Sequence, residues 1–475
     1  MEQGIALRRQ GKLGEAEAAY RAAIAHDPDL AEAHYNLGVV RHAQGHAADA
    51  MQSWRRAIEL KPDFVPALNN LGSALLELGD IAGAMAQHRR ALAADPRSLG
   101  ARINLGNALR LAGDAEGAVA EYRAALALAP GAAMAEANMG LALRDLGRLA
   151  ESEAAYRRAI ALKPDYAAAH KDLGMLLLLH DRYDEGWREY QWRWQTALHR
   201  PRNYDRPWWR GEDIAGKTIL LHMDQGHGDT IHFLRYVPMV AARGAGVVLE
   251  VQPALQRLCA RLAGVDTLIA AGETPPSFDL FCPLLDLPRI FGTRLETIPA
   301  QIPYLTAEPG EADAWRRRLA AKPGRKVGLV WAGNAAFSDD FRRSPGAAPL
   351  APLLKVEGVS FVSLQAGPEA KALDAVPGNE KVERAGAGFH DFADTAACIA
   401  ALDLVISSCT SVPHLAGAMG KPLWLALGDV PDWRWGLERK HSPWYPTARL
   451  FRQSTPGDWA GVFQRMANAL KSYKG

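Results

Sequence analysis

At 475 residues the chain is long enough for two to four domains and needs no disulfide or metal to bury a core. Its 48% hydrophobic and 23% charged residues are ordinary for a globular protein, and a formal net charge of +2 gives no reason to expect a nucleic-acid or membrane-surface binder. Four scattered cysteines (Cys259, Cys282, Cys398, Cys409) form no C-x-x-C pair, which argues against a disulfide framework or a zinc site and for a reducing cytoplasm.

The first residues, MEQGIALRRQGKLGEAEAAYRAA, read as amphipathic helix and not as a signal peptide. Apolar runs such as MLLLL at 175–179 are too short to span a bilayer. Residues 1–195 are dominated by a 34-residue period. Pro28, Pro62, Pro96, Pro130 and Pro164 keep that step, as do Gly4, Gly38, Gly72, Gly106, Gly140 and Gly174. A second glycine series runs Gly11, Gly45, Gly79, Gly113 and Gly147 until Asp181 replaces it. A ring position runs Tyr20, Trp54, His88, Tyr122, Tyr156, Tyr190. This pattern resembles the tetratricopeptide repeat, an α-solenoid whose helical hairpins bury their apolar faces only by stacking.

Asn36, Asn70, Asn104 and Asn138 recur before the Leu-Gly or Met-Gly step, with Asp172 in the fifth place. Asparagine amides both donate and accept, so such a ladder can hold an extended peptide without reading its sequence. It resembles the ladder in the repeats of O-GlcNAc transferase. The alternative is a repeat-consensus residue with no ligand.

The stretch 196–216 has prolines and charges without apolar period and reads as a linker whose Trp208 and Trp209 pack onto the α/β region beyond it. From Lys217, short β-branched runs alternate with helical segments: KTILLHM, GVVLEVQ, DTLIAAG and FDLFCPL, then KVGLVWAG, VSFVSLQAG, LDLVISS and KPLWLALG. The spacing predicts two α/β units of Rossmann-like kind, 217–308 and 309–475. A long helix is expected over TIHFLRYVPMVAARG.

Ligands of open parallel sheets lie beyond the carboxyl ends of the strands. There the chain places HMDQGHGDTIH (222–232), AGNAAFSDDFRRS (332–344), SLQAG and SSCTSVPHLAGAMG. His227 and His232 are five apart, not at the spacing of helical zinc ligands, so no metal is expected. The glycines of QGHGD miss the patterns for ATP hydrolysis and for hydride chemistry. Hydroxyls opening a helix at Thr410 and Ser411, with arginines at 342 and 343, fit a diphosphate better than a metal. His222 ends a strand and reads as structural, and Trp433, Trp435, Trp444 and Tyr445 either stack on a sugar or base or pack the terminal helix.

HGDTIHFLRYVP, KVGLVWAGN with RRS, FVSLQ, DFADTAACIAALDLVIS, TSVPHLAGAMGKPLW and PDWRW with SPWYP together resemble glycosyltransferases related to the lipopolysaccharide heptosyltransferases. The whole chain is similar to bacterial proteins that fuse such a domain to tetratricopeptide repeats, flagellin-modifying enzymes among them. The resemblance implies a metal-independent, cofactor-free transferase of the GT-B type that takes a nucleotide sugar as co-substrate and a protein acceptor. It implies Asp229 as general base; by position, His232 one turn later is the rival base or a donor-phosphate contact, and His227 between two glycines faces the acceptor side of the cleft. It further implies Arg342, Arg343, Ser344, Thr410, Ser411 and His414 around the donor, where their strand-end positions also place Asn334 and Gln365, and a terminal helix GDWAGVFQRMANAL crossing back to the first α/β unit. Cys409 stands where the family has an aspartate. Two other readings stay open: a non-catalytic repeat adaptor with a transferase-like domain, and a transferase acting on a glycolipid.

Overall fold

The computed structural model describes residues 1–197, 201–334 and 340–473, and divides into two compact units, Met1–Asp172 and Leu173–Gly475.

In the first unit, Ala- and Leu-rich segments form antiparallel helix pairs such as Ala31–Ala43 with Ala47–Leu60 and Leu99–Leu111 with Ala115–Leu128. Gly45 (φ 85°) and Gly113 (φ 88°) end the first helix of their pairs in the left-handed region. Asp80 and Asp114 cap the second helices by accepting from the backbone N–H of Gly83 and Gly117. The other glycine series exists for close approach. A Cβ at Gly106 would sit 2.6 Å from the Tyr122 ring, and one at Gly38 would sit 2.5 Å from Trp54. Gly106→Ala is therefore expected to splay this pair and strain the Tyr122–Asn107 hydrogen bond of 2.7 Å. It should cost about 1–3 kcal/mol in urea melts.

His88 occupies the ring position of its repeat fully buried, with no partner for either ring nitrogen. Burial lowers its pKa from 6.5 to about 4, because only the neutral imidazole is accommodated. The folded value lies below the unfolded one, so this contribution is fully present above pH 6.5 and is lost as pH falls toward 4. Melting temperature should drop across that window, by the equivalent of about 3 kcal/mol for complete loss, and His88→Phe should flatten the profile.

The second unit holds two parallel sheets. Strands β1 (Thr218–His222), β2 (Gly246–Val251), β3 (Thr267–Ala270) and β4 (Leu280–Pro283) are ordered β3-β2-β1-β4. Strands β5 (Arg325–Val330), β6 (Val359–Ser363), β7 (Glu383–Arg384), β8 (Leu404–Ser408), β9 (Leu423–Leu427) and β10 (Ala448–Arg452) are ordered β10-β9-β8-β5-β6-β7. The architecture is thus a helical-repeat solenoid followed by an α/β region, as the periodicities require. The short strand β7 and the charged β10 carry no strand signal in the sequence. Strands β1, β8 and β9 are buried runs, as strands of a parallel sheet covered on both faces are.

Three expectations change. The repeat period predicts an array reaching residue 195, but its last segment belongs to the second compact unit. Trp187 donates to the Thr293 carbonyl (3.0 Å), and Arg193 pairs with Asp286 (2.5 Å) in full burial. Asp181, at φ 59°, takes the left-handed turn that glycine holds elsewhere, and its carboxylate forks with Arg439. Within the expected linker 196–216, residues 198–200 lie outside the described residues; Trp209 is buried, and its backbone N–H donates to the Phe281 carbonyl at 2.8 Å.

The expected long helix breaks into His227–Phe233, a tighter turn Leu234–Tyr236, and Val237–Ala241, since Pro238 cannot donate in a helix interior. The terminal helix Trp459–Ser472 stays with its own sheet. Its buried face (Val462, Phe463, Met466, Leu470) packs into one core with Leu350, Leu353, Trp424 and Phe451.

Candidate functional site

The order reversals place the switch points between β1 and β4 in the first sheet and between β5 and β8 in the second. Ligand crevices of such sheets open there. The loop after β1 leads into the helix His227–Phe233; the loop after β8 leads into the helix Ser411–Ala418. These two helices meet. A Cβ at Gly228 would lie 3.1 Å from His414 and 3.3 Å from the Ser411 Cα, so a larger residue would push the two helices apart by a few tenths of an ångström.

Asp229 lies in the first turn of its helix. One carboxylate oxygen accepts from the Gly226 N–H (3.2 Å), and the other pairs with Arg434 at 2.5 Å. Its side chain keeps about a quarter of its surface exposed, whereas that of Arg434 is nearly enclosed. Arg434 is held in turn by Asp432 and lies over the Trp433 ring (4.4 Å). Those carboxylates raise its pKa against the desolvation that would lower it, so the guanidinium stays charged. Sequence reasoning misses it because its partner stands 205 positions away.

His227 is exposed beside Phe392, ring centroids 5.2 Å apart. His222 is buried at the end of β1, its Nδ1 2.9 Å from the Met223 carbonyl oxygen, and burial lowers it to about 4.

Two implied site residues turn inward. His232 and His414 are enclosed, and each Nδ1 lies 2.9 Å from the Tyr445 hydroxyl. A hydroxyl donates once, so one imidazole accepts its hydrogen while the other donates to its oxygen. Burial holds both well below the usual histidine value, hence neutral. They pin the two helices together and do not face a cleft, which corrects the catalytic reading of His232 and the donor reading of His414. Trp433, Trp435, Trp444 and Tyr445 are likewise buried: Trp435 stacks on His414, and Trp444 lies 4.6 Å from His232, so these rings pack the helix junction and not the terminal helix.

Gln365 is also structural. Its amide accepts from the Trp331 and Ala332 N–H groups and donates to the Ala332 and Ala366 carbonyls, stapling the ends of β5 and β6. This corrects its donor-contact reading.

In the segment 332–344, residues 335–339 lie outside the described residues. Asn334 is exposed, and Arg342 is half-buried. Arg343 pairs with Asp340 (2.8 Å), and Ser344 donates to Asp340 (2.7 Å) and accepts from the Gly333 N–H. Thr410 caps the helix Ser411–Ala418 by accepting from the Val412 N–H. Cys409 accepts from the Trp435 indole (3.1 Å), and burial raises its thiol to about 11, so it stays neutral where a carboxylate was expected.

In the repeats, the four asparagines are half-buried and donate locally. Asn36 donates to the Glu32 carbonyl, Asn70 to the Tyr35 hydroxyl, Asn104 to Asn69 and Ser73, and Asn138 to Asn107. The last three reach into the preceding repeat, which fixes each amide plane. Among the described residues no group of three or more His, Cys, Asp or Glu could hold a metal ion, and no helix is long and apolar enough to cross a membrane.

Residues 4–45 and 140–180 match the family described as TPR repeat, and residues 31–64 and 69–133 match families described as tetratricopeptide repeat. Protein FlbA of Caulobacter vibrioides is 29% identical over 323 residues, covering 63% of this chain and 54% of its own length. The chain thus spans about half of that curated relative. Among solved structures, MamA is 25% identical over 35% of this chain and 98% of its own, with a TM-score of 0.33. YrrB, described as a TPR protein with an unusual peptide-binding site, is 23% identical over 35% of this chain and 86% of its own, with a TM-score of 0.32.

Proposed function

We propose that the chain is a protein O-glycosyltransferase of the GT-B type: the repeats hold a polypeptide, and the α/β region moves a sugar from a nucleotide donor to a Ser or Thr hydroxyl. The observation that supports this reading is the meeting of the two strand-end helices at Gly228, where the first turn of the helix that carries Asp229 packs against Ser411 at the start of the helix capped by Thr410.

The acceptor oxygen would attack the anomeric carbon, its proton passing to Asp229 as the bond from that carbon to the phosphate oxygen breaks. The departing nucleoside diphosphate would carry away the electron pair, its charge met by Thr410, Ser411, Arg342, Arg343 and the helix start. In the repeats, peptide N–H groups would meet the Oδ1 atoms of Asn70, Asn104 and Asn138, whose Nδ2 atoms are occupied.

The non-catalytic adaptor remains as a second reading because Asp229 is already paired with Arg434 and Cys409 replaces an aspartate. Intact-mass analysis of a co-expressed acceptor such as flagellin decides between them. A discrete added mass identifies the sugar class; binding of the acceptor without any increment leaves the adaptor and sinks the transferase.

A further inference from the structure

The ring position of the 34-residue period is used differently at its last step. In each earlier step, as at Gly106 with Tyr122, a Cβ on the crossing glycine would meet the partner's ring at 2.5–2.7 Å. At Gly174 it would instead meet the Tyr190 backbone nitrogen at 2.5 Å, so this pair closes on main chain. The helix Tyr183–Tyr190 has 8 residues where Leu149–Leu162 has 14, and Tyr190 is its last. The ring is therefore free of the helix crossing, yet it is buried, 4.8 Å from the Arg193 guanidinium.

The Tyr190 hydroxyl accepts from the Gln225 side-chain amide at 3.0 Å. Gln225 belongs to the loop 223–226, which joins β1 to the helix that carries Asp229. Polar contacts hold this loop at every residue. The Met223 N–H donates to the Glu250 carbonyl (3.2 Å), and Asp224 pairs with Arg193 (3.4 Å). The Gln225 carbonyl accepts from Gln252 (2.9 Å), and the Gly226 N–H donates to Asp229 (3.2 Å). Two of the anchors, Tyr190 and Arg193, come from one stretch at the end of the repeat pattern. Burial raises the Tyr190 phenol, so it stays a neutral hydroxyl, and the charges of Arg193, Asp229 and Arg434 all act on it.

We infer that Tyr190 is a positioning residue of the transfer site: through Gln225 it holds the loop that sets the place of the Asp229 carboxylate. The inference rests on the proposed reaction, in which Asp229 takes the acceptor proton. A base must lie within hydrogen-bond reach of the hydroxyl it serves. A displacement of about 1 Å can cost about 100-fold in rate, so losing one of several anchors is expected to cost about 10-fold. The last hairpin of the repeat pattern thereby becomes part of the machinery of transfer.

The test uses the full chain, purified flagellin as acceptor, and the nucleotide donor of whichever sugar the mass increment identifies. Tyr190→Phe keeps the ring and removes the hydroxyl; Gln225→Leu cuts the same contact from the loop side. Each should lower kcat about 10-fold and leave KM for flagellin unchanged. The melting temperature of Tyr190→Phe should stay within about 4 °C of wild type, as for one lost hydrogen bond. Hydrogen–deuterium exchange across residues 223–230 should quicken. The double variant should be no slower than Gln225→Leu alone, because both changes break one contact. Tyr156→Phe, at the same repeat position but with its ring against Gly140, should alter neither the rate nor that exchange. Losses that multiply in the double variant overturn the positioning role, as does a raised KM with kcat intact. An equal slowing by Tyr156→Phe overturns it too, since repeat packing would then be the cause. Wild-type transfer matched by Tyr190→Phe defeats the positioning role alone, whereas flagellin that gains no mass from wild type defeats the transferase and this role together.

Discussion

Asp229→Ala is expected to reduce sugar transfer about 100- to 10,000-fold, the range that removal of a general base produces, while acceptor binding to the repeats is unchanged. The variant should fold, because Arg434 keeps Asp432 as a partner and the Gly226 N–H can turn to water at a partly exposed position. Asp229→Asn separates the two roles of this residue. It retains a hydrogen-bond acceptor for Arg434 but not a base, so a structural role predicts near-normal transfer and a catalytic one predicts loss. Arg434→Lys should lower the rate, since one ammonium cannot reproduce the fork to both carboxylates, but less than Asp229→Ala, because the carboxylate of Asp229 is retained. Radiolabelled transfer measured under single-turnover conditions distinguishes these outcomes.

Arg193→Met is the variant with the largest expected effect on stability. Its guanidinium is fully buried between Asp286 (2.5 Å) and Asp224 (3.4 Å). Removing it leaves buried carboxylates without their cation, a change that costs about 3–5 kcal/mol. Desolvation already raises Asp224 to about 7, with Arg193 opposing the shift. Its folded pKa lies above the ordinary 3.8, so the stability linked to its protonated form is present below that value and is lost as pH rises through about 7. The deficit of Arg193→Met should therefore be greater at about pH 8 than at about pH 5, where Asp224 is protonated. Thermal melts at the two values check this. An equal deficit at both would mean that the carboxylates are hydrated in the variant.

The loop HMDQGHGDTIH shows how far residues can be read without their neighbours. Its five ionisable side chains are visible in the sequence, and so is its place between a strand and a helix. Their fates diverge in the fold. Asp229 keeps solvent contact and His227 is exposed, while His232 is sealed against Tyr445 and His222 against the Met223 carbonyl. Asp224 sinks into an ion cluster with Arg193 and Asp286. Helical periodicity cannot foretell which of these turns inward, because the aromatic groups that cover His232 come from residues 433–445, on another element.

By itself the sequence determined the repeat array and the alternation of strands and helices, because both follow from local periods: 34 residues for stacked hairpins, and apolar runs at strand length for buried parallel sheets. It also determined where glycine is required, since a ring 16 positions later leaves no room for a Cβ. The tertiary structure alone decided which polar residues became surface and which became mortar. Arg434 with Asp229, Arg193 with Asp286, and Tyr445 between two histidines are pairings across 31 to 213 positions. Their energies depend on shared burial, and burial is a property of the assembled fold, not of any segment within it.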